Sequence, residues 1–227
     1  TVGTATTNST INYRNCTSAC YLPDVSRLVV YSGSAGTRTI MTFSISGTTI
    51  TYGTAAIFKS GTTYFTDVAF NPNTANQFVA VYRDNSSPKN GTANIGSVSG
   101  TSISYNSPTV FNAGNTNNIY IDFASNISNA FVISYADADN SSYGTAITGS
   151  VAGTSLSFNT EAVFKSASIN YSEMSTTPDG KFIVVFQDSS NSTYGTAQLG
   201  QMGSTNLTST NFVGITDQAI ASGASGS

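Results

Sequence analysis

Acidic residues recur at regular places along this chain. Asp67, Asp122 and Glu173 occupy one aligned position of an internal repeat, with Ser18 in a fourth copy. Carboxylates gathered around a common axis could hold a cation or an ordered water cluster. Two of them across a sugar ring would be the apparatus of glycoside hydrolysis. The plainer outcome is that they are solvated or hydrogen-bonded to neighbouring strands. A second series, Asp84, Asp137 and Asp188, closes the runs Tyr82-Arg83-Asp84, Tyr135-Ala136-Asp137 and Phe186-Gln187-Asp188. Asp137, Asp139 and Asn140 offer oxygens at the short spacing of a calcium loop. The same Asp also suits an Asx-turn, where the carboxylate accepts backbone N–H groups and fixes the loop, and this turn chemistry is the preferred reading.

The chain has no His and no Trp. No Ser-His-Asp triad, Cys-His pair or His-based metal site can be built from it. No catalytic residue and no cofactor is assigned, and the chain reads as non-enzymatic. Cys16 and Cys20 lie four residues apart. In an extended strand their Cα atoms would stand roughly 13 Å apart, at about 3.3 Å per residue. A disulfide needs them within about 7 Å, so either the segment bends or these are two thiols. Asn-x-Ser/Thr triplets occur at Asn8, Asn15, Asn85, Asn90, Asn126, Asn140, Asn170, Asn191 and Asn206. In a chain so rich in Ser and Thr, chance supplies most of them.

Only 8% of the 227 residues are charged, against roughly a quarter in ordinary globular chains. Ser, Thr, Asn and Gly fill the polar positions. Twelve Tyr and 13 Phe within 39% hydrophobic residues provide a core and argue against disorder. A net charge of −3 and a pI near 4.6 disfavour nucleic-acid binding, which wants a basic face. No run of 18 apolar residues exists, so no membrane insertion is expected. The start at Thr1 reads as a processed or partial product.

The elements that must position these residues come in repeats. Gly-Thr-Ala begins at 91, 144 and 195, a spacing of 53 and then 51 residues. Gly47, Gly100, Gly153 and Gly203 succeed one another at 53, 53 and 50. Each of these glycines sits between two alternating runs, where a hairpin needs positive φ. Every unit holds four strand-like runs and no helical periodicity. An all-β repeat of this size predicts a β-propeller with about four four-stranded antiparallel blades. The units are 16–58, 59–111, 112–164 and 165–213. Their innermost strands fall at 16–21, 64–70, 119–124 and 170–175. Residues 1–15 read as closing strands or the remnant of a preceding blade, and 214–227 as a linker to a further module. A β-solenoid or a string of small sandwiches is the alternative.

The runs Tyr143-Gly144-Thr145-Ala146, Val98-Ser99-Gly100-Thr101-Ser102-Ile103-Ser104-Tyr105 and Val110-Phe111 resemble repeats of large structural proteins of marine bacteriophages. The tail from Asn211 to Ser227 looks like the junction where such repeats pass into another fibre module. This resemblance implies a virion or extracellular surface location. The role it implies is a tail fibre, spike or capsid-decoration protein contacting other virion or fibre subunits and host-surface glycan, within an oligomeric assembly. The alternatives are a subunit of a secreted bacterial fibre or adhesin, and a carbohydrate-active enzyme.

Overall fold

In a computed structural model, the described residues are 17–21, 26–32, 37–46, 48–86 and 88–203. They are almost entirely antiparallel strand. Unit I holds β1 (Thr17–Tyr21), β2 (Ser26–Ser32), β3 (Thr37–Ser46), β4 (Thr49–Tyr52) and β5 (Ala56–Ser60). Unit II holds β6 (Thr63–Phe70), β7 (Gln77–Asp84), β8 (Gly91–Ser99), β9 (Ser102–Tyr105) and β10 (Thr109–Asn112). Unit III runs through β11 (Thr116–Phe123), β12 (Ala130–Asp137), β13 (Tyr143–Ala152), β14 (Ser155–Phe158) and the first part of β15 (Ala162–Thr176). Unit IV takes the rest of β15, then β16 (Lys181–Asp188) and β17 (Tyr194–Gln201).

Each unit is a meander with its first strand innermost. The innermost strands β1, β6, β11 and β15 lie against one another in turn, and the sheets stack face to face behind them. The fourth strand expected from the sequence is two short strands in each of units I to III. Both halves pair with the third strand, as β9 and β10 do with β8. The break falls at Asn106-Ser107-Pro108 in unit II, and proline cannot donate to the ladder there. The sequence boundary at 164/165 falls inside β15. Its Ala162–Ser168 portion pairs with β13, and its Ile169–Thr176 portion with β16, so one strand serves two units. Gly100 and Gly153 turn their hairpins at φ +58° and +60°. Gly47 lies outside the described residues, and Gly203 is the last of them, so its hairpin lies outside too.

Packing rests on one recurrent pair. Phe78, Phe131 and Phe182 on the second strands stand opposite Gly96, Gly149 and Gly200 on the third. A Cβ on any of these glycines would overlap the opposing phenylalanine ring. The glycine therefore lets the ring lie flat on the backbone, where it packs against the preceding unit. In unit I the pair becomes Arg27 opposite Phe43.

Three apolar clusters result, and each spans two units. Ile40 and Phe58 of unit I meet Val68, Phe78, Ala80 and Tyr82 of unit II. Val79 and Val81 of unit II meet Ile119, Ile121, Phe131, Ile133 and Tyr135 of unit III. Val132, Ala136 and Phe164 of unit III meet Phe182, Val184 and Phe186 of unit IV. Because β7 and β12 are covered on both faces, they read as unbroken apolar runs rather than alternating ones. Among the described residues the arc of units does not close on itself, and β17 is paired only with β16.

Candidate functional site: a strained mouth at the innermost strands

The innermost strands carry a common irregularity near their starts. Pairing with the second strand slips between Tyr64 and Asp67, between Asn117 and Tyr120, and between Asn170 and Glu173. One residue in each slip is left-handed: Phe65 at φ 49°, Asn118 at 48° and Tyr171 at 46°. These positions are 53 residues apart each time. A bulge re-aims side chains and bends its strand. Left-handed backbone at an aromatic residue costs of order 1–3 kcal/mol and persists only where the surroundings impose it.

At the junction of units II and III the bulge builds a compact polar-aromatic cluster. The Arg83 guanidinium lies over the Tyr64 ring at 4.8 Å and over the Phe65 ring at 4.9 Å. It donates to Asn117 Oδ1 of the next unit. Each cation–π contact contributes about 0.5–2 kcal/mol according to its desolvation. Tyr64, Phe65, Arg83, Asn117 and Asn118 are all half-buried. They form one half-buried cluster in which a guanidinium, amides and two aromatic rings meet. At the same bulge of unit IV, Tyr171 is 81% exposed.

The acidic residues singled out in the sequence behave differently. The three-fold alignment of Asp67, Asp122 and Glu173 does not hold. Asp67 pairs with Val81 and Glu173 with Val185, each three residues before the recurrent Asp of its second strand. The matching position in unit III is Tyr120, opposite Ser134, and Asp122 lies two residues further on, opposite Val132. Both aspartates nonetheless make the same staple. Asp67 Oδ1 accepts Val68 N–H at 2.8 Å, and Oδ2 accepts Ile121 N–H of unit III at 2.9 Å. Asp122 Oδ1 accepts Phe123 N–H at 2.9 Å, and Oδ2 accepts the N–H and hydroxyl of Thr176 of unit IV at 2.8 and 2.9 Å. A shift of two keeps the side chain on the same face, so the staple survives the change of row. Glu173 is exposed.

The second acidic series sits in the loops on the same side of the sheets. Asp84 Oδ1 accepts from Ser86 N–H and its hydroxyl, and Asp188 Oδ1 does the same with Ser190. Asp137 accepts Asp139 N–H at 3.2 Å, while Asp139 turns away to accept Asn115 N–H at 3.0 Å. Asp137 and Asp139 thus point their oxygens at backbone rather than at a shared centre. Among the described residues no three acidic or Cys side chains come together.

Lysines from the preceding unit clamp two of these loops. Lys59 Nζ meets Asp84 Oδ2 at 2.6 Å, and Lys165 Nζ meets Asp188 Oδ2 at 2.5 Å. Asn112 stands at the equivalent place in unit II. Burial raises the Asp188 carboxyl, but the Lys165 ammonium and the Ser190 donors outweigh it and hold it below the ordinary carboxylate value. Asp84 is lowered by the same balance, with Lys59 and Ser86 overcoming burial. Burial chiefly, and then its 2.5 Å hydrogen bond to Glu161, pushes the Tyr135 hydroxyl far up.

Residue type and motif spacing do not single out Tyr64, Phe65, Arg83, Asn117 and Asn118. A subtler signal exists. The inward positions Thr63, Thr66 and Val68, like Thr116, Ile119 and Ile121, step by three and then by two. A three-residue step inside a strand marks an inserted residue.

No family model and no curated protein matches the chain. Solved structures do. It is similar to NanB sialidase from Streptococcus pneumoniae, with a TM-score of 0.59 and 12% identity over 86% of this chain. It is similar to the Trypanosoma rangeli sialidase in complex with the inhibitor DANA (TM-score 0.52, 10% identity, 90% of this chain and 38% of that one). It is also similar to the α-L-arabinofuranosidase PaAbf62A from Podospora anserina in complex with cellotriose (TM-score 0.51, 14% identity, 93% of this chain and 73% of that one). The chain spans about a third of the length of NanB, 30%. At these identities the likeness establishes the fold alone.

Proposed function

The all-β, propeller-type repeat fold carries over from the comparisons, and from it we propose that this chain is a non-enzymatic surface protein. In this reading it displays a rigid propeller arc on a virion or extracellular fibre and contacts glycans. The observation that carries the reading is the strained bulge repeated at Phe65, Asn118 and Tyr171. Backbone strain maintained at one mouth in three successive units presents aromatic faces and amides there. With Arg83 and Asn117 they suit a sugar, which stacks on an aromatic ring and hydrogen-bonds to planar donors. The inner aspartates are engaged as backbone acceptors rather than facing each other across a cleft, which supports binding over hydrolysis. The carbohydrate-active character of the sialidase and arabinofuranosidase neighbours supports sugars as the ligand class.

Glycan-array screening and then calorimetry test this. A glycan should bind, and Arg83→Ala or Phe65→Ala should each weaken it at least about tenfold, equivalent to about 1.4 kcal/mol. Release of reducing sugar that disappears in Asp122→Asn/Glu173→Gln would establish the enzyme alternative instead.

A further inference from the structure

Of the three junctions between described units, two are closed by a lysine and one is not. Lys59 and Lys165 each follow a buried phenylalanine, Phe58 and Phe164, and each meets Oδ2 of the recurrent Asp in the next unit. Asn112 follows Phe111 in the same way, and it pairs with Gly91 as Lys165 pairs with Gly144. It is shorter than lysine and neutral. Its amide is held locally: Nδ2 donates to Thr116 Oγ1 at 3.1 Å, and Oδ1 accepts Gly114 N–H at 3.0 Å. The carboxylate that would face a lysine here is Asp137. It is only 7% exposed, and among the described residues no lysine or arginine lies within ion-pair distance of it. Its Oδ1 accepts Asp139 N–H, as Asp84 Oδ1 and Asp188 Oδ1 accept from Ser86 and Ser190. Its Oδ2, the oxygen that meets lysine in the other two, has no described partner.

The same loop adds negative charge. Two residues after the recurrent Asp stand Ser86 and Ser190 in units II and IV, but Asp139 in unit III. One carboxylate against one lysine leaves zero at the other two junctions, whereas Asp137 and Asp139 against no lysine leave −2 here. The cationic residues of this junction are turned elsewhere. Arg83 lies over Tyr64 and Phe65, and the exposed Lys89 meets the neighbouring strand through its carbonyl, which accepts Thr116 N–H at 3.3 Å. A buried carboxylate without a partner is unfavourable. A second orphan lies beside it. Asn115 N–H donates to Asp139 Oδ2 at 3.0 Å and its carbonyl accepts Ala138 N–H at 2.8 Å, so Asn115 is fixed against the Asp137 loop. Its Oδ1 is buried with no hydrogen-bond partner.

We propose that this junction binds one divalent cation of calcium type, held by Asp137 Oδ2 with the amide oxygens of Asn115 and Asn112, in the role that Lys59 and Lys165 play at the other two junctions. The donor set is all oxygen, which suits a hard cation. An amide oxygen has two lone pairs, so Asn112 can accept Gly114 N–H and still ligate. Asp139 contributes charge, while its Oδ2 stays on Asn115 N–H. Calcium takes about six to eight oxygens, and water completes the set. The cation ties unit II to unit III, so the site is structural and stands independently of sugar binding.

Calorimetry with calcium chloride on the EDTA-treated 227-residue chain tests the site. One calcium per chain should bind with a Kd of about 0.1–1 mM, the range of extracellular calcium modules. The midpoint of thermal unfolding in about 20 mM calcium chloride should stand at least about 3 °C above that in sodium chloride of equal ionic strength. Asp137→Asn should abolish both effects. Asp139→Ser, which installs the residue of the other two loops, should weaken binding at least about fivefold. The decisive variant is Asn112→Lys, which builds the clamp into the chain. It should fold, and it should neither bind calcium nor respond to it. A chain that binds no calcium overturns the proposal. So does a thermal shift that sodium chloride reproduces, or a folded Asn112→Lys chain that keeps the full calcium response.

Discussion

Val81 and Val185 are the same residue at the same place in two sheets, yet one is fully buried and the other 45% exposed. Nothing in their own strands separates them. Both lie three residues before the recurrent Asp, and both face forward along the arc. The difference comes from the neighbouring sheet on that side. Unit III covers Val81 with Ile119, Ile121 and Tyr135, while the forward side of unit IV has no described sheet on it. In such a stack, a residue's energetic weight is set by its neighbour unit as much as by its own.

The sharpest break in this comparison is a charge at each site. Val81→Asp puts an unpaired carboxylate into a closed interface. It should destabilise the fold by about 4 kcal/mol or more in urea titration. Val185→Asp should cost the isolated chain under about 1 kcal/mol. Equal losses would mean that the last face is covered in solution.

A smaller contrast lies between two glycines. Gly96→Ala drives a Cβ into the Phe78 ring and should cost about 2 kcal/mol, because ring and backbone must part. Gly195→Ala in the last unit meets nothing within 4 Å and should stay within about 0.5 kcal/mol. Thermal unfolding of the two variants, taken side by side, reads the difference.

The smallest effect is in acid. The folded-state carboxyl of Asp188 sits below its ordinary value of 3.8. Below about pH 4 the unfolded chain therefore binds the proton more readily than the folded one. The stability this carboxylate contributes is complete above that pH and is lost as pH falls through the folded-state value. Asp188→Asn should flatten the acid limb of a stability–pH curve. Asp179→Asn should change it least, although Asp179 is itself lowered to about 2 by Thr177 and Lys181, because that side chain is exposed and its charge is screened by solvent. A steeper response from Asp179 than from Asp188 would show that the buried Lys165 clamp is not what tunes the acid limb.

Much of the architecture is legible in the linear chain. Gly-Thr-Ala at 91, 144 and 195 sets the period, and apolar runs bounded by turn residues mark the second strands. Hairpin glycines at 100 and 153 announce themselves because positive φ is a property of the single residue. The acidic alignment fails at Asp122 because matching carboxylates by type spaces them 55 and 51 residues apart, whereas the constant 53 of the bulge positions 65, 118 and 171 puts Tyr120 in that row. Alternation returns the same face every second residue, so sequence pattern alone accepts either register. The two-part outer strands and the shared strand β15 are likewise hidden, since where one unit passes into the next is a matter of pairing.

Composition and spacing by themselves determined an antiparallel repeat protein with little charge and no histidine chemistry. Only the tertiary structure decided which carboxylates staple neighbouring units, where Arg83 meets two rings and an amide from different strands, and which apolar face remains open. Strand order and turns are written in local φ preferences and in a period of two. The staples, the mouth and the open face are contacts between units some fifty residues apart, and their partners are chosen by how the sheets stack.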